Sequence, residues 1–132
     1  KNKKNVIFTV SGEDLEENFR IIVNEYKLPK TKGVRSSFTD AIAIDDKIYF
    51  LASAENTEST YLDGEVLGSW IGRIDTTTMK IDFTKKISDT HKFEGLTLYK
   101  RNGNEIEFLL CEDNDTELLE SSIYSLKLEV RN

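Results

Sequence analysis

The stretch FTDAIAIDDKIYFLASAENTESTYLDGEVLGSWIGRID, residues 38–75, decides the fold class. Ile42 and Ile44, then Ile48 and Phe50, alternate with small or polar neighbours at a period of 2 rather than 3.6, the pattern of half-buried pleated strands. Asp45-Asp46 between the two runs reads as the tight turn of a hairpin. A further strand follows at Ser69–Asp75, and beyond the turn Thr76-Thr77-Thr78 another at Lys80–Ile87. Residues 38–88 thus hold four short antiparallel strands in sequence.

The same design recurs downstream. Asp40-Ala41-Ile42-Ala43-Ile44 matches Glu94-Gly95-Leu96-Thr97-Leu98 as acid, small, apolar, small, apolar. Ile48-Tyr49-Phe50-Leu51 matches Ile106-Glu107-Phe108-Leu109, Asn56 matches Asn114, and Ser69-Trp70-Ile71-Gly72 corresponds loosely to Ser122-Ile123-Tyr124-Ser125. The turn in this second unit is Lys100-Arg101-Asn102-Gly103-Asn104, where Asn-Gly is a strong reversal signal. Strands at Val6–Val10, Phe19–Leu28 and Ser122–Val130 complete the count, with Pro29 closing the second of these. Helix is confined to Glu13–Asn18 and Asp115–Glu120, both short and acidic.

Four short antiparallel strands per repeat is the arithmetic of a propeller blade. The expected fold is all-β, built of four-stranded blade repeats as a partial β-propeller within a single β domain over residues 1–132: a partial blade at 5–28, a full blade at 38–88 and an incomplete one at 92–130. A β-sandwich or a twisted meander is the alternative the same strands can build. Two blades and spare strands leave unpaired edges, which soluble proteins avoid. The chain opens on Lys1 rather than Met. The expectation is therefore either a missing remainder of the propeller or a homo-oligomer in which several chains close one ring, with Phe19–Leu28 of one chain completing the 92–130 unit of another.

Composition narrows the function classes. Net charge is −6, from 24 acidic and 18 basic residues, a field that repels phosphate backbones and anionic lipid, so neither nucleic acid nor membrane is an expected partner. No apolar run approaches the roughly 20 residues of a membrane span. Cys111 is the only cysteine, which rules out an intrachain disulfide and a CxxC zinc site; mid-strand among apolar residues, it reads as core. The sequence suits a cytoplasmic, periplasmic or secreted setting alike.

The segments FTDAIAIDDKIYFLASAENTESTYLDGEVLGSWIGRID at 38–75 and KFEGLTLYKRNGNEIEFLLCEDND at 92–115 resemble an uncharacterised bacterial β-propeller family and, more distantly, the propellers of esterase-like phytases. The motifs that carry the resemblance are the acid-Gly-Leu entry at Glu94-Gly95-Leu96 and the acidic loop at 55–68. The resemblance implies a fold more than an activity, and it transfers no catalytic residues.

Chemistry-bearing residues gather in three places. The connection over 54–68 is longer than a hairpin needs and offers Glu55, Asn56, Asp63 and Glu65 as oxygen ligands for Ca²⁺ or another hard cation, with Gly64 permitting a sharp turn. A solvated acidic loop is the plainer reading. Asp40 and Glu94 stand at matching points of the repeat, where they face a common channel or cap nearby backbone N–H groups. His91, the only histidine, precedes Glu94 and pairs with it in an acid/base reading. Tyr61 and Trp70 read as an aromatic wall for a ligand or as core packing. No G-x-S-x-G elbow, P-loop or dinucleotide fingerprint occurs. The function expected is a ligand- or partner-binding scaffold, the alternative a Ca²⁺-dependent hydrolase of phosphate or other esters.

Overall fold

The computed structural model describes residues 4–13, 20–56, 64–112 and 120–131. Every regular element among them is a β-strand: β1 Asn5–Thr9, β2 Ile22–Tyr26, β3 Lys30–Thr31, β4 Val34–Arg35, β5 Ser37–Ile44, β6 Lys47–Glu55, β7 Val66–Asp75, β8 Lys80–Ser88, β9 Phe93–Asn102, β10 Glu105–Glu112 and β11 Ile123–Glu129. Among the described residues all ladders are antiparallel and no sheet is closed. β5 to β8 form a four-stranded meander, β9 to β11 a three-stranded one, and β1–β2 and β3–β4 are two-stranded. The two stretches expected to be helical fall almost wholly outside the described residues. The small β3–β4 hairpin is an addition to the sequence reading. Lys32 and Gly33 turn it with φ of +47° and +80°, a left-handed pair that Gly makes affordable.

The layers stack with a definite polarity. Directly opposed residues share a face, so the pairs Tyr49↔Arg73, Leu51↔Ile71 and Ser53↔Ser69 point one way from the four-stranded sheet. They meet the three-stranded sheet, where Leu96, Ile106, Phe108, Leu110 and Leu128 close the largest core. The pairs Ile48↔Ile74, Phe50↔Gly72 and Ala52↔Trp70 point the other way. There Ile7 and Tyr26 of the N-terminal hairpin pack with Ile48, Phe50, Ala52 and Ile74, while Val34 meets Trp70. The order is hairpin, four-stranded sheet, three-stranded sheet. The middle layer is buried on both sides, which is why β6 and β7 bury nearly every residue instead of alternating.

Small residues make this double burial physically feasible. A Cβ added at Gly72 would lie 2.6 and 2.8 Å from two ring carbons of Phe50 and closer still to its Cζ. The glycine is the floor on which that fully buried ring rests. Gly95 gives the same clearance to the Cys111 Sγ of the paired strand.

Register corrects three points of the sequence reading. The second hairpin turns at Gly103-Asn104 alone, with Asn102 paired to Glu105, so the strands run on through Lys100 and Arg101. Trp70 lies opposite Ala52 as Tyr124 lies opposite Leu110, so Tyr124 rather than Ile123 takes the place of Trp70. Cys111 is exposed: alternation sends Leu110 into the core and its neighbour to the outer face.

Candidate functional site

The polar groups concentrate where β8 hands over to β9. Ser88 starts the reversal by accepting the backbone N–H of Thr90 at 3.1 Å and of His91 at 2.9 Å, a local hydroxyl turn that competes with strand continuation. The four-stranded sheet then pins the connector at successive points. Ser69 donates its hydroxyl to the His91 carbonyl and sits 2.9 Å from the Ser53 hydroxyl. Thr39 donates to the Phe93 carbonyl at 2.7 Å. One carboxylate oxygen of Asp40 accepts the Leu96 N–H at 2.7 Å, and the other accepts the Ala41 N–H at 2.8 Å. Asp40 is therefore a strap between the two stacked sheets, which is the capping role open to it from sequence.

Two ionisable side chains project from this connector. Lys92 bridges Glu55 at 2.7 Å and Glu94 at 2.6 Å. The hydrogen bond to Glu55, then that to Glu94, raises the ammonium pKa well above its ordinary value, so the three groups form a fixed charged triad. His91 lies with Nδ1 2.8 Å from Glu112 Oε2. Tyr124 donates its hydroxyl to the other oxygen of Glu112 at 2.8 Å, and that bond pushes the phenol pKa up. The imidazole is stacked against Phe93 and tilted against Tyr124, with ring centroids 5.8 and 5.1 Å away. Glu112 is nearly buried, with 10 % of its side chain accessible against 44 % for His91. One edge of the imidazole is thus held while the residue stays open to solvent.

The residues singled out from sequence divide accordingly. His91 pairs with Glu112, and Glu94 with Lys92, so the two do not form the expected dyad. Asp40 and Glu94 do not occupy matching rungs. Counted from each hairpin turn, Leu51 corresponds to Leu109; Asp40 lies opposite Leu51, whereas Thr97 lies opposite Leu109. Glu94 falls three residues away, in the bulge between the Gly95↔Cys111 and Phe93↔Glu112 pairs. The extra length of the second hairpin causes the offset.

Trp70 is buried with Ala54 and Leu67 against Val34, and the Lys86 ammonium lies 5.5 Å from its ring centroid. Its indole is core with a cationic lid. Glu55 is engaged by Lys92. Asn56 donates its backbone N–H to the Glu65 carbonyl at 2.9 Å, and Gly64 packs so close to Asn56 that a Cβ there would meet its carbonyl carbon at 2.9 Å. The base of the long loop is therefore a continuation of the β6–β7 hairpin. Tyr61 and Asp63 lie outside the described residues. Among the described residues, no group of three or more His, Cys, Asp or Glu side chains gathers in a way that could hold a metal ion.

Lys92, Glu112 and Tyr124 were missed from sequence. Lys92 carried a weak signal, since Lys92 and Glu94 are two apart at the start of a strand and so share a side. Glu112 and Tyr124 carried none, because their neighbours come from different strands.

No curated protein and no solved structure matches this chain. One family model matches residues 1–128, nearly the whole length, and by that match the chain belongs to the family described as "Family of unknown function (DUF6929)".

Proposed function

We propose that the chain is a propeller-type binding scaffold rather than a catalyst. On this reading β5–β8 are one full blade, β9–β11 are three strands of the next, and the N-terminal hairpin is the outer pair of the preceding one. The shared stacking polarity of the three layers supports it. The observation that carries the non-catalytic part is the mutual engagement of the polar groups at the connector. Lys92 is held between two carboxylates, His91 and Tyr124 converge on Glu112, and Ser69 is spent on a backbone carbonyl. Nucleophilic catalysis needs a hydroxyl or thiol beside a base, and here the serine and the imidazole serve different partners. Such an arrangement stiffens the rim formed by Glu55 and the connector, as a binding scaffold requires.

The alternative, a Ca²⁺-dependent ester hydrolase, would need Glu55 to give up its pairing with Lys92 to ligate a cation, leaving the ammonium to Glu94 alone. Aryl phosphate and carboxylate ester assays with and without Ca²⁺, alongside thermal melts at rising Ca²⁺, test the choice. The expected result is no turnover and an unchanged melting temperature. Ca²⁺-dependent turnover abolished by Glu55→Gln would overturn the scaffold reading.

A further inference from the structure

We propose that Asn102 is a self-modifying position. At the tip of the β9–β10 hairpin it cyclises onto Gly103 and opens to aspartate or isoaspartate, and the isoaspartate loosens the end of the three-stranded sheet. The inference stands on the hairpin geometry and goes beyond the scaffold reading.

Asn102 is the only asparagine in the chain that a glycine follows. That neighbour matters because the attacking group is the backbone nitrogen of the next residue, and glycine carries no Cβ to screen it. Both residues are exposed. Gly103 is the first central residue of the two-residue turn, with φ of +57°, so its N–H lies outside the ladder. Among the described residues no acceptor takes that N–H. A Cβ built on Gly103 would meet nothing within 4 Å, so the nitrogen stands in open space. Asn104, two places on, is followed by Glu105, a ladder residue with a side chain of its own.

The hairpin slows the reaction without blocking it. Asn102 closes the ladder opposite Glu105, and its backbone has to rotate before the ring can form. Only this last pair must open, which is fraying of a strand end rather than unfolding.

The chemistry needs water alone. The Gly103 nitrogen loses its proton and bonds to the Asn102 Cγ. The Cγ–Nδ2 bond breaks, and the amide nitrogen leaves as ammonia with a proton from the solvent. Water then opens the five-membered imide. Attack at Cγ breaks the new N–Cγ bond and gives aspartate. Attack at the backbone carbonyl breaks the old peptide bond and gives isoaspartate, with the chain now running through the side-chain carbon.

The two products act differently. Asn102 stands opposite Glu105, and Glu105 opposite Glu129, so the three share one rung and one face. Aspartate lines up three carboxylates across that rung, and like charges directly opposite destabilise a sheet. Isoaspartate lengthens the backbone where a two-residue turn sets the register, and so displaces the tip. The tip is tied to the core. The Asn104 carbonyl accepts the Val130 N–H at 2.8 Å, and Val130 is buried in the cluster that joins the two large sheets. Moving Asn104 releases Val130.

Ageing of the unmodified chain in warm, mildly alkaline buffer tests this, beside a peptide of residues 98–107 and the variant Asn102→Gln. Intact mass and fragmentation mapping follow the amide-to-acid exchange, and ion exchange separates the products. The expected result is conversion at Asn102, with both products present, at a rate within about a hundredfold of the peptide's, the closing ladder pair having to open first. Asn102→Gln should stay unconverted at that position. The isoaspartyl form should lose hydrogen-exchange protection at the Val130 amide, whereas Asn102→Asp should keep it and melt at a lower temperature than the unmodified chain. Conversion more than about a hundredfold slower than in the peptide would overturn the proposal. So would conversion at Asn104 in place of Asn102, or an isoaspartyl form whose Val130 amide is as protected as before.

Discussion

Replacing Gly72 by alanine tests the physical basis of the middle layer. Gly72 lies directly opposite Phe50, and the added methyl would sit 2.6 and 2.8 Å from two ring carbons, against an ordinary separation of about 3.5–4.0 Å. The ring has nowhere to retreat. Phe50 is 0 % exposed, and Phe38 meets it edge-on with centroids 5.0 Å apart. Alanine in place of glycine within a strand should otherwise help by roughly 0.5–1 kcal/mol through lost unfolded-state freedom. Overpacking of a closed core costs about 1–3 kcal/mol. With an overlap near 1 Å against an immobile ring, the upper half of that range applies, and Gly72→Ala should destabilise by about 2 kcal/mol net. For a chain of 132 residues that lowers the melting temperature by roughly 6–10 °C. Phe50→Leu alone should cost about 1–2 kcal/mol as a volume loss. Made together, the two changes should cost at least about 1 kcal/mol less than their sum, since the leucine vacates the space the methyl needs. Urea unfolding of the four proteins measures the cycle. Gly72→Ala at native stability or above, or strict additivity, would refute the proposed tight packing of the Phe50 ring over Gly72 within the middle layer.

Three further outcomes are expected. Asp75 is held near a pKa of about 2, first by its hydrogen bond to the Lys47 ammonium and then by the Thr78 and Thr77 N–H groups. Its folded value lies below its unfolded one, so it contributes stability above pH about 4 that is lost as pH falls towards about 2. Asp75→Asn should flatten the pH dependence of the urea midpoint in that window, and an unchanged slope would count against the pairing. Lys92→Met should lower stability by about 1 kcal/mol, a modest figure because all three members of the triad are partly exposed, and Lys92→Arg should recover part of it. Cys111 should react with a thiol reagent without unfolding, at a rate unchanged by sub-denaturing urea, whereas a buried thiol would wait for the global transition.

Much of the fold was legible because strands and turns are local. Ile42 and Ile44, the Asp45-Asp46 turn and the alternation in β10 each fit within a few residues, and the structure bears out the all-β antiparallel reading. What escaped is which face each run uses. Ile42 and Ile48 read as the same kind of position, yet a two-residue turn pairs Ile44 with Lys47 and hence Ala43 with Ile48, on the face opposite Ile42. Register arithmetic across the turn contains this, whereas composition does not. The same arithmetic separates Asp40 from Glu94 once Asn102 is known to pair with Glu105.

The connector site escaped for a different reason. Its pairings join Glu55 to Lys92 by stacking of the sheets, and His91 to Glu112 and Glu112 to Tyr124 by pairing of β9, β10 and β11, none of them by spacing in sequence. A motif search sees residue types at fixed offsets, and none of these pairs has one. The carboxylates available for the cation reading included Glu55 because its neighbours in sequence are acidic and polar; its neighbour in space is an ammonium. Stacking therefore does more than bury apolar surface here. It decides which charges meet, and by pairing Glu55 and Glu94 across Lys92 it turns residues that look like ligands into fixtures of the joint between two sheets.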